Sequence, residues 1–258
     1  MSAPSSPSTP RPTTFGHTIV HLPETTSTMD EVESRARLGA PEGLVVVADH
    51  QTAGRGRAGR TWAASPGSGL LCSILLRPPL SPDRLSTLPL IAGIAVAEAI
   101  EDCAPVDCRL KWPNDVLIGG CKVAGVLLKA TVAGGAVEWV VLGIGVNLTG
   151  EGEAVPPGAT TIRMASGKTV DWSRLMERLL PRLQSHYDRF VLAGGRPDLS
   201  PWLARAALLN ERVTVVDAGT PATGRFVGVD SDGALLLDEG GAIKRVVAGD
   251  LSRGTVAG

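Results

Sequence analysis

A chain of 258 residues is long enough for one large domain, or one domain with a small companion. A hydrophobic fraction of 43% and a net charge of -1 describe an ordinary soluble globular protein. They exclude a global basic field that would attract nucleic acid or an anionic membrane surface, so any anion binding must be local. No apolar run reaches the length of a membrane-spanning helix. The four cysteines, Cys72, Cys103, Cys108 and Cys121, contain no CxxC pair. They suggest neither a disulfide framework nor a metal centre, which fits a cytoplasmic location.

Residues 1–15 are rich in Ser, Pro and Thr and read as a disordered leader. His17 to Leu22 reads as a short strand ended by Pro23, and Ser27 or Thr28 caps a helix that opens at Met29. The β-branched run Leu44 to Ala48 and the apolar run Leu70 to Leu76 read as buried strands. Leu85 to Ala104 has helical spacing of its apolar residues. Arg109 to Trp112 is a strand leading into a Pro113-Asn114-Asp115 turn. Val116 to Ile118 and Lys122 to Ala130 form a hairpin about Gly119-Gly120, and Gly134-Gly135 turns the chain into Glu138 to Val146. Trp172 to Leu192 reads as a helix that Pro181 kinks, and Leu203 to Leu209 as a shorter one. From Glu211 onward, four short strands are expected: Val213 to Val216, Thr223 to Val229, Ala234 to Leu237 and Ile243 to Val247. They suggest a small antiparallel barrel or sandwich. The fold class is therefore α+β with a mixed sheet: leader 1–15, main domain 16–208, C-terminal barrel 209–258.

The segment Gly54-Arg55-Gly56-Arg57-Ala58-Gly59-Arg60 is built to wrap an anion: glycines permit close backbone approach and arginines supply planar cationic forks. It formally matches the dinucleotide fingerprint G-x-G-x-x-G. That site requires a helix directly afterwards, whereas here Pro66, Gly67 and Gly69 lead into another strand. Ser166-Gly167-Lys168-Thr169 resembles the end of a P-loop, but the opening Gly is replaced by Ile162. An RGG-type nucleic-acid segment would interleave aromatics, which are missing, and a plain solvated basic loop remains open. Three neighbouring features raise the segment above that: Lys111-Trp112-Pro113-Asn114-Asp115, Lys122-Val123-Ala124-Gly125, and Gly143-Ile144-Gly145-Val146-Asn147. Cations, a carboxylate and an amide on adjacent turns suit a nucleotide triphosphate and a carboxylate substrate, hence acyl adenylation.

In this order and spacing, Gln51 to Trp62 together with those three motifs resembles the biotin protein ligases. The resemblance runs from about residue 17 to the end. It implies a catalytic domain related to class II aminoacyl-tRNA synthetases and lipoate ligases, followed by an SH3-like barrel. It implies ATP, Mg²⁺ and biotin as substrates and a biotin carboxyl carrier protein domain as partner. It resembles the monofunctional type, with no DNA-binding domain and no nucleic-acid partner, and it admits a homodimer without requiring one. By the resemblance, Ser27, Thr28, Gln51, Gly54, Arg55, Arg57, Lys122 and Gly125 bind biotin. Arg57, Arg60, Trp62, Lys111, Asn114, Lys122 and Asn147 bind ATP, with Lys111 and Trp112 flanking the pocket. Lys122, Arg57 and Asp115 carry the chemistry, Asp115 orienting or deprotonating the acceptor lysine. No protein-held metal is implied. Lys129 departs from the acidic residue many relatives place nearby. The rival readings are a lipoate or octanoate ligase of the same superfamily and a non-enzymatic biotin-sensing module.

Overall fold

The computed structural model describes residues 14–152, 155–217 and 221–254. Most of the expected leader, residues 1–13, lies outside them. Phe15, its last residue, is buried against Tyr187, and its amide donates to Gln184 at 2.8 Å. The packed domain thus begins before residue 16.

Seven strands form one sheet: β1 (Thr18–Thr25), β2 (Leu44–Gln51), β3 (Gly69–Leu76), β4 (Cys108–Lys111), β5 (Asp115–Ile118), β6 (Cys121–Ala133) and β7 (Ala136–Asn147). Their order is β1-β2-β3-β7-β6-β5-β4; β1 and β2 are parallel and the other pairs antiparallel. Strand β1 runs through Pro23 instead of ending there. It is an edge strand, and Pro23 falls between the paired positions Leu22 and Glu24, so its missing N–H breaks no ladder bond. Both hairpin turns have the expected double-positive φ, 58° and 82° at Gly119-Gly120 and 58° and 81° at Gly134-Gly135, which only glycine adopts freely.

Helices cover both faces of the sheet. Helices α2 (Leu88–Cys103) and α4 (Trp172–Leu192) lie over the large core with Val45, Val47, Leu142 and Ile144. Helix α1 (Thr28–Arg37) covers part of the other face through Met29, Val32 and Ala36 against Leu44, Val46, Leu75 and Val141. Successive β2 residues therefore alternate between two buried layers, which is why that strand reads as continuously apolar. Helix α4 runs without interruption through Pro181. The last expected helix, Leu203 to Leu209, is displaced: α5 is Ser200–Ala204, and α3 (Ile162–Ser166) was not expected. Pro201 in the first turn of α5 starts it early.

The C-terminal unit has five strands among the described residues, one more than expected: β8 (Arg212–Val216), β9 (Ala222–Val229), β10 (Leu235–Asp238), β11 (Ile243–Val246) and β12 (Asp250–Arg253). They are ordered β11-β10-β9-β8-β12, all antiparallel. Trp112 joins the two sheets. It is buried, and its indole N–H donates to the Gly233 carbonyl at 2.9 Å. Trp112→Phe removes the indole N–H and part of a buried ring, so that carbonyl loses its donor and the seam loses packing, and stability should fall by at least about 1–3 kcal/mol. Urea denaturation checks this, and an unchanged midpoint would contradict the tie.

Candidate active site

The face of the sheet opposite α2 carries small residues where α1 stops covering it. On β7, Gly143 and Gly145 alternate with the core residues Leu142, Ile144 and Val146. A Cβ on Gly143 would sit 3.0 Å from the Met29 sulfur, and one on Gly145 would meet the Trp62 indole at 2.5 Å. The missing side chains admit the indole and open a cavity of about 140 Å³. Its walls come from the start of α1, from Gln51, from the Arg/Gly loop and from strands β3, β6 and β7. Gly145→Ala should push the indole off the sheet and destabilise the fold by about 1–3 kcal/mol. Urea denaturation followed by Trp fluorescence reads both effects.

A bulge aims the key lysine. Val123 and Ala124 both lie in the large core, and the β5–β6 register slips there, so Leu117 opposes Lys122 while Val116 opposes Ala124. Without the extra residue, Lys122 and Gly125 would face opposite sides of the sheet. With it, both line the cavity. The Lys122 ammonium lies 2.6 Å from Asp115 Oδ1, an ion pair without hydrogen-bond angles. It is also 5.4 Å from the Trp62 ring centroid and 3.2 Å from where a Gly125 Cβ would be. Lys122 thus has a carboxylate, a π-face and a bare glycine around it, and any larger residue at 125 would displace it.

The inner end of the cavity is polar and neutral. Ser27 caps α1, accepting from the Met29 amide at 3.3 Å. The Thr28 amide and hydroxyl both donate to Gln51 Oε1, at 2.7 and 3.0 Å, and the Thr28 hydroxyl is 2.8 Å from that of buried Ser73. The Gln51 carbonyl is thereby turned to α1 and its amide nitrogen towards Gly54. Beside this relay, burial pushes the Cys72 thiol up to about 12, so it lines the wall as an inert neutral group.

The outer end is cationic. Arg55 pairs with Asp30 at 2.8 Å. Arg57 donates to Asn114 Oδ1 at 3.4 Å and to the Gly249 carbonyl at 3.3 Å. Arg60 pairs with Asp250 at 2.9 Å. Asn114 is itself fixed, its side-chain amide donating to the Val126 carbonyl at 2.7 Å. The loop contains one turn of 3₁₀ helix and then returns to the strand, with no following α-helix for a dinucleotide. Gly54 lets the loop close on itself, since a Cβ there would lie 2.4 Å from the Trp62 carbonyl.

Of the residues singled out from sequence, Ser27, Thr28, Gln51, Arg55, Arg57, Arg60, Trp62, Asn114, Lys122 and Gly125 line this one cavity. Five stand outside its wall. Gly54 closes the loop and Asp115 stands behind Lys122. Lys111 is paired in register with Asp115 at the end of β4, and Asn147 donates to the Thr160 carbonyl at 3.1 Å. Trp112 is buried at the seam between the sheets instead of flanking the pocket. Ser73 was missed, although a lone hydroxyl inside an apolar strand was its signal. Lys129 pairs with Glu33, and that contact first of all, with Arg37 beside it, holds the Glu33 carboxyl below its ordinary range. The contribution of this pair is present at neutral pH and is lost as pH falls through the lowered Glu33 pKa. On the C-terminal unit, Arg245 pairs with Asp230 and Asp232, and Lys244 with Glu239.

The chain is similar to known proteins in both its sheet domain and its C-terminal unit. The model of the biotin/lipoate A/B protein ligase family matches residues 22–147, and that of the biotin protein ligase C-terminal domain matches residues 208–254. The chain is 37% identical over 235 residues to a biotin–[acetyl-CoA-carboxylase] ligase of Mycobacterium tuberculosis, covering 88% of this chain and 86% of the relative. It is 38% identical over 202 residues to the enzyme of that name from Paracoccus denitrificans, covering 74% and 82%. The solved biotin protein ligase of Aquifex aeolicus, in complex with biotin and ATP, superposes with a TM-score of 0.78 at 30% identity, over 92% of this chain and 98% of that one. Family models match both the sheet domain and the C-terminal unit, relatives 37% and 38% identical cover most of their own and of this chain's length, and the chain belongs to the biotin protein ligase family.

Proposed function

We infer that the chain is an ATP-dependent ligase that activates biotin and transfers it to a lysine of a biotin carboxyl carrier protein. The observation that carries this reading is one cavity with two chemically opposite ends. A neutral relay, Gln51–Thr28–Ser73, lies at one end, and Arg57 and Lys122 at the other. A ureido ring is uncharged and needs paired donors and acceptors inside an apolar wall, which the relay offers. A dithiolane or a plain acyl chain offers those groups no hydrogen-bond partner.

In the first half-reaction a biotin carboxylate oxygen attacks the α-phosphorus of ATP. The bond from the α-phosphorus to the bridging oxygen breaks, and pyrophosphate leaves with its electron pair. Two anions must meet, so fixed cations are required at the junction. Lys122 and Arg57 are suited to it, and the buried Trp62 indole N–H, which lacks an acceptor among the described residues, offers a further donor to the nucleotide. In the second half-reaction the acceptor lysine attacks the acyl carbon, AMP leaves and the amine sheds a proton. Asp115 reaches that region only through Lys122, so its role is to hold the ammonium in place, with proton acceptance secondary.

Among the described residues, no group of three or more His, Cys, Asp or Glu could hold a metal ion. In this reading Mg²⁺ enters with the phosphates of ATP, as part of the substrate. The net charge of -1 favours no nucleic-acid partner, and the free cysteines suit a cytoplasmic carrier protein as the acceptor. The test is ATP–pyrophosphate exchange in the presence of biotin, lipoate or octanoate. Exchange should depend on biotin; a higher kcat/KM with lipoate or octanoate would overturn the assignment.

A further inference from the structure

The Arg/Gly loop is fastened on two sides by elements far apart in the chain. Arg55 holds it to Asp30 on α1, while Arg57 and Arg60 hold it to Gly249 and Asp250 at the start of β12. Arg60 also donates to the Arg57 carbonyl at 3.2 Å, which ties the two arginines on the β12 side to each other. Strand β12 is itself firmly seated. Asp250 and Leu251 pair with Val216 and Val215 of β8, and a Cβ on Gly249 would lie 2.6 Å from Val215, so the backbone whose carbonyl Arg57 meets is packed closely on β8. Arg57 also borders a second cavity, of about 420 Å³, between the two sheets, with Trp112, Asn114 and Arg245 in its wall. Arg57 is the residue of the loop that lines both cavities, together with Asn114, Val126 and Leu127.

We propose that Asp250 is a positioning residue: through Arg60 it latches the loop to the C-terminal unit, and so sets how long the acyl-adenylate is kept from solvent. It touches no reacting atom, and its effect passes through the loop. The Arg60–Asp250 pair is more than half exposed on both sides, so the latch is weak by design and sensitive to salt. A strap of that strength biases the loop without locking it, as a lid that must open each turnover requires. The second anchor, Asp30, acts on the opposite end of the loop and provides the comparison.

The proposal rests on the adenylate reading above, so two measurements are made on the full chain with wild type, Asp250→Asn, Asp250→Glu and Asp30→Asn. Hydrogen exchange of the amides of residues 55–61, without ligand, reads the latch. Release of labelled biotinyl-adenylate after a chase, with ATP and Mg²⁺, reads its consequence. Asp250→Asn should raise both roughly two- to fivefold, the range set by one exposed ion pair, while the rate of adenylate formation stays within about twofold. Asp250→Glu should restore both towards wild type. In wild type, about 1 M salt should bring loop exchange up to that of Asp250→Asn. Asp30→Asn should loosen the loop near residue 55 more than near residue 60. Unchanged loop exchange in Asp250→Asn, or increases that the Glu variant does not reverse, would overturn the latch. If wild type forms no adenylate, the functional reading falls, and the exchange result still decides the latch.

Discussion

Replacing Lys122 with Ala should lower biotin-dependent ATP–pyrophosphate exchange by roughly two to three orders of magnitude, the loss that follows removal of one preorganised charge. The ammonium is held by Asp115 at 2.6 Å, by the Trp62 face at 5.4 Å and by the bare backbone at Gly125. A water molecule in its place would carry no net charge and would reorient as the pentacovalent phosphorus forms. The fold should survive, because Lys122 is half-exposed and its strand neighbours Val123 and Ala124 carry the packing. Circular dichroism provides the control. Wild-type exchange in a folded Lys122→Ala protein would remove the lysine from the chemistry. Lys122→Arg should rescue poorly, since the planar fork does not fit between the Trp62 ring and Gly125.

The second large effect concerns Asp115. If its task is to fix Lys122, Asp115→Asn should slow both half-reactions, each by roughly tenfold to a hundredfold, because the ammonium then drifts from the junction. If it served only as a base for the acceptor lysine, adenylate formation would be normal and transfer alone would fall, by roughly a hundredfold or more. The ion pair predicts the first pattern. Single-turnover measurements of each half-reaction separate the two, and normal adenylate formation with slow transfer would contradict the positioning role.

The site was legible where its chemistry is local in the chain. Arg55, Arg57 and Arg60 announce an anion loop because arginines between glycines have no packing purpose. Gly143 and Gly145 are legible as a bare strip only after β7 is placed, since the alternation shows that two glycines share a face but not what lies over them. The bulge at Val123 was not legible: Lys-Val-Ala-Gly alternates equally well without it, and only the pairing to β5 puts Lys122 and Gly125 on one side. Likewise Lys111 and Trp112 adjoin Asn114 in sequence, yet strand and turn geometry send the indole into the seam between the sheets and the lysine to the end of β4. Strand β12 escaped notice because Asp250 to Arg253 is short and mostly polar, with Leu251 alone buried; pairing with β8 is what makes it a strand. Pro23 misled for the opposite reason. Proline stops an internal strand but not an edge one, and edges are a property of the assembled sheet.

The measurement that tests the central claim most directly is transfer itself. The chain is incubated with ATP, Mg²⁺ and a purified carrier domain, with biotin or lipoate supplied separately, and the carrier is examined by intact-mass and peptide mass spectrometry. The account predicts one biotinyl group on one lysine of the carrier, dependent on ATP and formed roughly two to three orders of magnitude more slowly in Lys122→Ala, with no lipoyl transfer. Lipoyl transfer at an equal or greater rate, or biotinylation at the wild-type rate in Lys122→Ala, would contradict it.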